Sequence, residues 1–121
     1  MTGSGCGLIG FLGGRKMNSK RKGNNYETEM AFRLRDIFPE ARTCRFMGQL
    51  WLDSQKVDLT GTDPFYFQCK ASERFGAYHS TLAEMPDNGH INVILHKKNN
   101  RGTVAVMDFE DFLKLIKNKH A

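Results

Sequence analysis

Apolar residues recur at two different spacings along this chain, and the changes between them mark out its elements. Tyr26, Met30, Leu34, Ile37 and Phe38 return every three or four positions, with Asn24 placed to cap the start and Pro39 following the end. This predicts a helix from Asn24 to about Phe38 with one core face. Thr43, Cys44 and Phe46 give residues 42–47 the character of a strand. Val57 and Leu59, then Phe65, Phe67 and Cys69, alternate with polar neighbours on either side of Gly61-Thr62-Asp63-Pro64, which predicts two antiparallel strands joined by a turn. Phe75, Tyr78, Leu82 and Met85 return to helical spacing over 72–86, and Pro86-Asp87-Asn88-Gly89 breaks the run. Ile91, Val93 and Leu95, then Val104, Val106 and Met107, predict two more strands around the loop Lys97-Lys98-Asn99-Asn100-Arg101-Gly102. A final helix carries Phe109, Phe112, Leu113 and Ile116 on one stripe after a capping Asp108. Helix, three strands, helix, two strands and helix imply an α/β sandwich, a central sheet covered by helices on its faces.

Length and charge narrow this picture. With 121 residues, the chain has room for one compact unit. No apolar run approaches the roughly 20 residues that span a bilayer. The net charge of +5 is supplied by Arg15, Lys16, Lys20, Arg21 and Lys22, which leave 13 residues of each sign in the rest of the chain. Residues 1–23, with seven glycines and little apolar mass, are therefore expected to be a flexible basic arm on a domain over 24–121. A cationic arm on a neutral body suits a polyanion, nucleic acid before membrane, and a solubilising tail is the alternative. Gly5-Cys6-Gly7-Leu8-Ile9-Gly10 matches G-x-G-x-x-G but lacks the preceding strand that a dinucleotide site needs. Cys6, Cys44 and Cys69 show no CxxC spacing, and the opening residues do not read as a signal peptide, so reduced thiols and a cytoplasmic setting are expected.

The chemistry gathers on the first strand pair. Period-two alternation sets Gln68 and Lys70 on one strand face, and Asp58, between Val57 and Leu59 that point oppositely, comes towards Gln68 across the turn. An acid, an amide oxygen and an ammonium around one point make a hard-cation site with a fixed positive charge, the parts that phosphodiester cleavage requires. The histidines show no metal-ligand spacing and are expected at the surface or hydrogen-bonded, with His96 within reach of a phosphate. Phe46, Trp51 and Tyr66 are expected in the core or in turns rather than as base-stacking platforms, and Asp53 and Ser54 are candidates for the border of the site.

Val57-Asp58, nine intervening residues, and Gln68-Cys69-Lys70 together resemble the metal motif of the PD-(D/E)xK nuclease superfamily. Lys22-Gly23-Asn24-Asn25-Tyr26-Glu27-Thr28-Glu29 resembles the start of its archaeal and phage Holliday junction resolvases, where a basic Lys-Gly precedes a helix with an acidic ligand. The resemblance runs from about Lys20 to the last helix. It implies a restriction-endonuclease-like three-layer sandwich with a mixed central sheet flanked by helices. It also implies a magnesium-dependent endonuclease, with manganese as a substitute, that acts on branched DNA as a homodimer. Asp58 corresponds to the central metal ligand, Gln68 to the usual second acid, the Cys69 carbonyl to a third ligand, Lys70 to the catalytic lysine, and Glu27, with Glu29 in reserve, to the first-helix acid. Lys97 and Lys98 join the basic arm as expected nucleic-acid contacts. The neutral amide at Gln68 departs from the pattern and removes one negative charge from the site. Two alternatives therefore stand beside the resolvase: a non-catalytic nucleic-acid-binding module, and a nuclease of the same fold acting on linear or single-stranded DNA.

Overall fold

A computed structural model describes residues 19–120 of the chain. The first helix, α1 (Ser19–Leu34), docks through Tyr26, Met30 and Ala31, all buried. It starts five residues before the predicted Asn24, so Asn24 is not its cap and residues 19–23 belong to the helix rather than to an arm. Apolar periodicity marks only the docked turns. Once these are fixed, each further residue costs little and the helix propagates back over Lys20, Arg21 and Lys22. It also ends early. From Leu34 the chain leaves through turns closed by the Ile37 and Phe38 amides on the Leu34 carbonyl, and Ile37 is exposed rather than in the core.

The strand expected over 42–47 is reduced to β1 (Arg42–Thr43). Its Thr43 hydroxyl accepts the Phe46 amide at 3.0 Å and so caps a one-turn helix, α2 (Cys44–Met47), followed by α3 (Leu50–Ser54). A β-branched residue with a capping hydroxyl suits either state, and here the cap prevails. The predicted strand pair forms as β2 (Leu59–Thr60) and β3 (Phe65–Ala71), antiparallel, with Leu59 opposite Phe67. The helix expected over 72–86 shortens to α4 (Tyr78–Glu84), because Ser72 and Phe75 are drawn into contacts with His96. The last elements, β4 (Ile91–Lys97), β5 (Thr103–Met107) and α5 (Phe109–His120), form close to expectation. The Glu110 amide donates to Asp108 Oδ2 at 3.1 Å, as a cap should.

The described residues form one five-stranded sheet in the order β1-β2-β3-β4-β5. β3 and β4 run parallel, joined by the crossover through α4, and the other neighbours are antiparallel. The fold is therefore α/β with a mixed sheet. Leu59, Phe67, Cys69, Val93 and Leu95 pack with Tyr26, Met30 and Ala31 on one face. Tyr66, alternate to Phe67, packs with Cys44, Val57, Leu82 and Met85 on the other. α1 and α4 thus cover opposite faces. The stripe on α5 forms as a stripe but stays uncovered: Phe109, Phe112, Leu113 and Ile116 are all exposed.

The turn between β2 and β3 is a tight point. Gly61 has a φ of 77°, and a Cβ there would lie 2.1 Å from the Glu40 carbonyl oxygen. Gly61→Ala is expected to destabilise the fold by about 2 kcal/mol or more through clash and backbone strain. Urea unfolding checks this, and a midpoint equal to wild type would contradict it.

Candidate functional site

Asp58 sits where the chain enters β2, and its surroundings are more irregular than strict alternation predicts. Lys56 takes a left-handed turn at φ 68°, after which Val57 packs on the α4 face while Leu59 packs on the α1 face. Val57 and Leu59 therefore do not share a side, because residues 57 and 58 precede the two-residue strand. Asp58 is held at both ends. Its amide donates to the Phe67 carbonyl and its carbonyl accepts the Cys44 amide, each at 2.8 Å. Its carboxylate Oδ2 accepts the Cys69 amide, also at 2.8 Å. Leu59 is the residue paired with Phe67, yet the Asp58 amide also bonds to the Phe67 carbonyl, so residues 58 and 59 both lie against residue 67 as at a β-bulge, and the bond to the Cys69 amide sets the carboxylate against β3.

Charge in this neighbourhood is poorly solvated. Burial pushes the Asp58 carboxyl above the usual carboxylate range, the Cys69 amide lowers it, the Asp53 carboxylate raises it again, and Lys70 and Lys56 oppose the rise. Glu27, on α1, is pushed up to about 7, first by burial and then by the Asp58 carboxylate. Arg45 opposes this, pairing with Glu27 at 3.5 Å, and Asp53 adds to it. Asp58 thus acts on Glu27, and Asp53 and Lys70 act on Asp58. Glu29 lies elsewhere, 4.0 Å from Arg33 and lining a groove with Lys22 and Lys97. Between the two acids proposed for α1, only Glu27 faces Asp58.

Gln68 is buried, and its Oε1 has no hydrogen-bond partner among the described residues. An orphaned acceptor of this kind costs about 1–3 kcal/mol unless something electropositive reaches it. Lys70, two residues along, has its ammonium 5.6 Å from the centre of the Phe75 ring. It is paired across the parallel strands with His96. His96 itself is buried and fully engaged. Its Nε2 donates to the Ser72 carbonyl at 2.7 Å, which leaves Nδ1 to accept the Tyr78 hydroxyl at 2.8 Å. It is hydrogen-bonded as expected but not placed to reach a phosphate.

Of the basic residues expected to contact nucleic acid, Arg15 and Lys16 lie outside the described residues, as does the Gly5–Gly10 motif. Lys20, Arg21 and Lys22 are on α1, and Lys22 Nζ donates to Asn99 Oδ1 at 3.4 Å in the β4–β5 loop. This brings Lys22 and Lys97 to one groove, with Lys98 and Arg101 in a neighbouring one. Phe46 on α2 and Trp51 on α3 are exposed, not in the core, Phe46 because α2 replaces the end of the expected strand. Arg45 was missed for the same reason: nothing in the sequence signals that residue 45 would meet residue 27.

The oxygens at hand are the carboxylates of Glu27 and Asp58, the Gln68 amide and the Cys69 carbonyl, a set suited to a hard cation such as magnesium. Among the described residues, no group of three or more His, Cys, Asp or Glu side chains is arranged to hold a metal. Cys44 and Cys69 are free, and burial followed by the nearby carboxylates pushes both thiols up, Cys44 to about 12, which disfavours a thiolate site. The unpartnered Gln68 oxygen fits a cation beside Asp58. The chain matches no known protein family, no curated protein and no solved structure.

The buried acids also govern stability. Glu27 binds its proton more tightly in the fold than in the unfolded chain, so its contribution favours the fold fully below about pH 4.5 and is lost as pH rises to about 7. The loss is of the order of 3 kcal/mol, and Asp58 adds to it with the same sign. Glu27→Gln is expected to raise stability at pH 8 by about 2 kcal/mol and to flatten this decline. Urea unfolding at pH 5 and pH 8 measures both effects. An unchanged pH dependence would contradict the burial of Glu27.

Proposed function

We propose that this chain is a magnesium-dependent DNA endonuclease of restriction-endonuclease-like fold that resolves four-way junctions as a homodimer. The observation that carries the reading is the buried, unpartnered Gln68 Oε1 on β3, next to Cys69, whose amide holds the Asp58 carboxylate. Glu27 approaches from α1, and Lys70 follows Gln68 along the same strand face. Asp58, Gln68 and Glu27, with the Cys69 carbonyl, would hold the cation. Such a cation would supply Lewis-acid chemistry, polarising a phosphodiester and lowering the pKa of a water.

The chain's own residues supply the rest. The Cys69 amide fixes the Asp58 carboxylate in one orientation, leaving Oδ1 for a ligand. Lys70 places a positive charge beside charge that develops on a phosphate oxygen. Glu27, at about 7, carries a proton in part of the population at neutral pH, and a cation bound beside it would displace that proton. Lys22, Lys97 and Lys98 line basic grooves for phosphate contacts that position a strand without reading its sequence. The uncovered apolar stripe of α5 offers a surface that a twofold copy would bury. A non-catalytic nucleic-acid-binding module is the second reading, favoured by the neutral amide at Gln68 and by the tie between Glu27 and Arg45.

A labelled four-way junction, a matching linear duplex and a single strand, each incubated with magnesium and with chelator, separate these readings. The resolvase cuts the junction only with magnesium. A nuclease of other preference cuts one of the remaining substrates, and the binding module cuts none. Asp58→Asn and Lys70→Ala are each expected to slow cleavage about a thousandfold with DNA binding retained. Near wild-type cutting by either variant would show that the site is misassigned. Gln68→Glu is expected to lower the magnesium concentration needed for half-maximal cutting, because a charged oxygen replaces a neutral one. An unchanged or higher midpoint would mean that Gln68 does not touch the cation.

A further inference from the structure

A second cleft, of about 310 Å³, opens between α1 and the segment carrying β1 and α2, lined by Arg35, Arg42, Arg45, Phe46, Thr28 and Thr43. We infer that it binds an unpaired nucleic-acid strand, its phosphates on Arg35 and Arg42 and a base stacked on Phe46. This goes beyond the nuclease reading, since the arms of a four-way junction are paired, and rests on that reading only for its link to a reacting site.

The arginines are fixed in advance of any ligand. Arg35 Nε donates to the Ala41 carbonyl at 2.9 Å. One terminal nitrogen of Arg42 donates to the Pro39 and Ala41 carbonyls at 3.3 and 2.8 Å. Carbonyl partners hold each guanidinium in place without neutralising it, and the other N–H groups remain for an anion. The ion pair these three make among the described residues is that of Arg45 with Glu27, which sets the cleft next to the candidate site. Little side-chain freedom is left to lose on binding.

Phe46 decides which polyanion. It is 75% exposed at the cleft, and the exposed Met47, Leu50 and Trp51 continue the patch along α2 and α3. A duplex stacks its bases on one another and offers a protein only phosphates and groove edges, whereas an unpaired strand offers base faces to an aromatic ring. Cationic cleft and exposed ring together match the unpaired strand. A second copy of the chain fits less well, because a twofold pairing about this face would oppose two sets of arginines.

The test is binding to a dye-labelled oligo(dT) and to a duplex of equal length, in chelator so that no cleavage intervenes. It is read by polarisation and by the fluorescence of Trp51, the single tryptophan. Phe46→Ala is expected to weaken oligo(dT) binding roughly tenfold and leave duplex binding within about twofold, with Phe46→Tyr restoring the affinity. Arg35→Gln with Arg42→Gln is expected to weaken both and to lower the salt slope on oligo(dT) by roughly 0.7 for each phosphate no longer neutralised. Because those arginines also hold carbonyls, Phe46→Ala, an exposed substitution, decides the matter if the double variant melts. Equal losses on both substrates, or unchanged oligo(dT) affinity, would overturn the proposal. So would a dimer that sedimentation shows to dissociate in Phe46→Ala while oligo(dT) affinity holds. Strand preference without magnesium-dependent cutting would defeat the nuclease reading alone, and cutting without strand preference would defeat this inference alone.

Discussion

The hydrogen bond from the Cys69 amide to Asp58 Oδ2 ties together the parts on which the site depends. Asp58 stands outside the regular ladder, on a segment that follows the left-handed Lys56 and changes faces between Val57 and Leu59. Without a tether its carboxylate would follow the turn. The bond to β3 instead fixes it against the strand that carries Gln68 and Lys70. The Phe67 and Cys44 backbone contacts fix the same residue from either side. Three polar groups from two segments thereby share one frame of reference.

That arrangement is electrostatically expensive. Two carboxylates, Glu27 and Asp58, are withdrawn from water, Asp58 close enough to raise Glu27 and Asp53 close enough to raise both, and an amide oxygen is buried without a donor among the described residues. Arg45 and Lys70 oppose the repulsion only in part. A core built for stability would fill the same space with apolar side chains. Burial of this kind is what the proposed cation site would cost in stability. Arg45, which pairs with Glu27, also lines the arginine cleft, so positive charge adjoins this negative centre.

Much of this was legible in the order of residues. Strict alternation in Phe65–Ala71 and turn chemistry at Gly61–Pro64 were enough to expect β2 and β3 as an antiparallel pair, but not the irregular point of the ladder at which the Cys69 amide holds Asp58. Helix spacing was enough to put Tyr26 and Met30 in the core and Glu27 beside them. What was not legible came from choices that no local pattern dictates. Thr43 caps a helix instead of extending a strand, and so Arg45 reaches Glu27 and Phe46 reaches solvent. His96 recruits Ser72 and Phe75, and so the helix after β3 starts late. The stripe on α5 shows the opposite limit: periodicity located it, but not that it is exposed among the described residues.

A divalent cation at Gln68 and Asp58 is the requirement from which the proposed chemistry follows. Manganese, which substitutes for magnesium and relaxes nearby nuclei, reports its own position in a ¹⁵N spectrum of the labelled protein. Substoichiometric manganese is expected to erase first the side-chain amide of Gln68 and the backbone amides of Asp58 and Cys69, with magnesium restoring them. The same signals should survive in Asp58→Asn. Broadening centred on another part of the fold, or the same broadening in that variant, would contradict a cation held by these two residues.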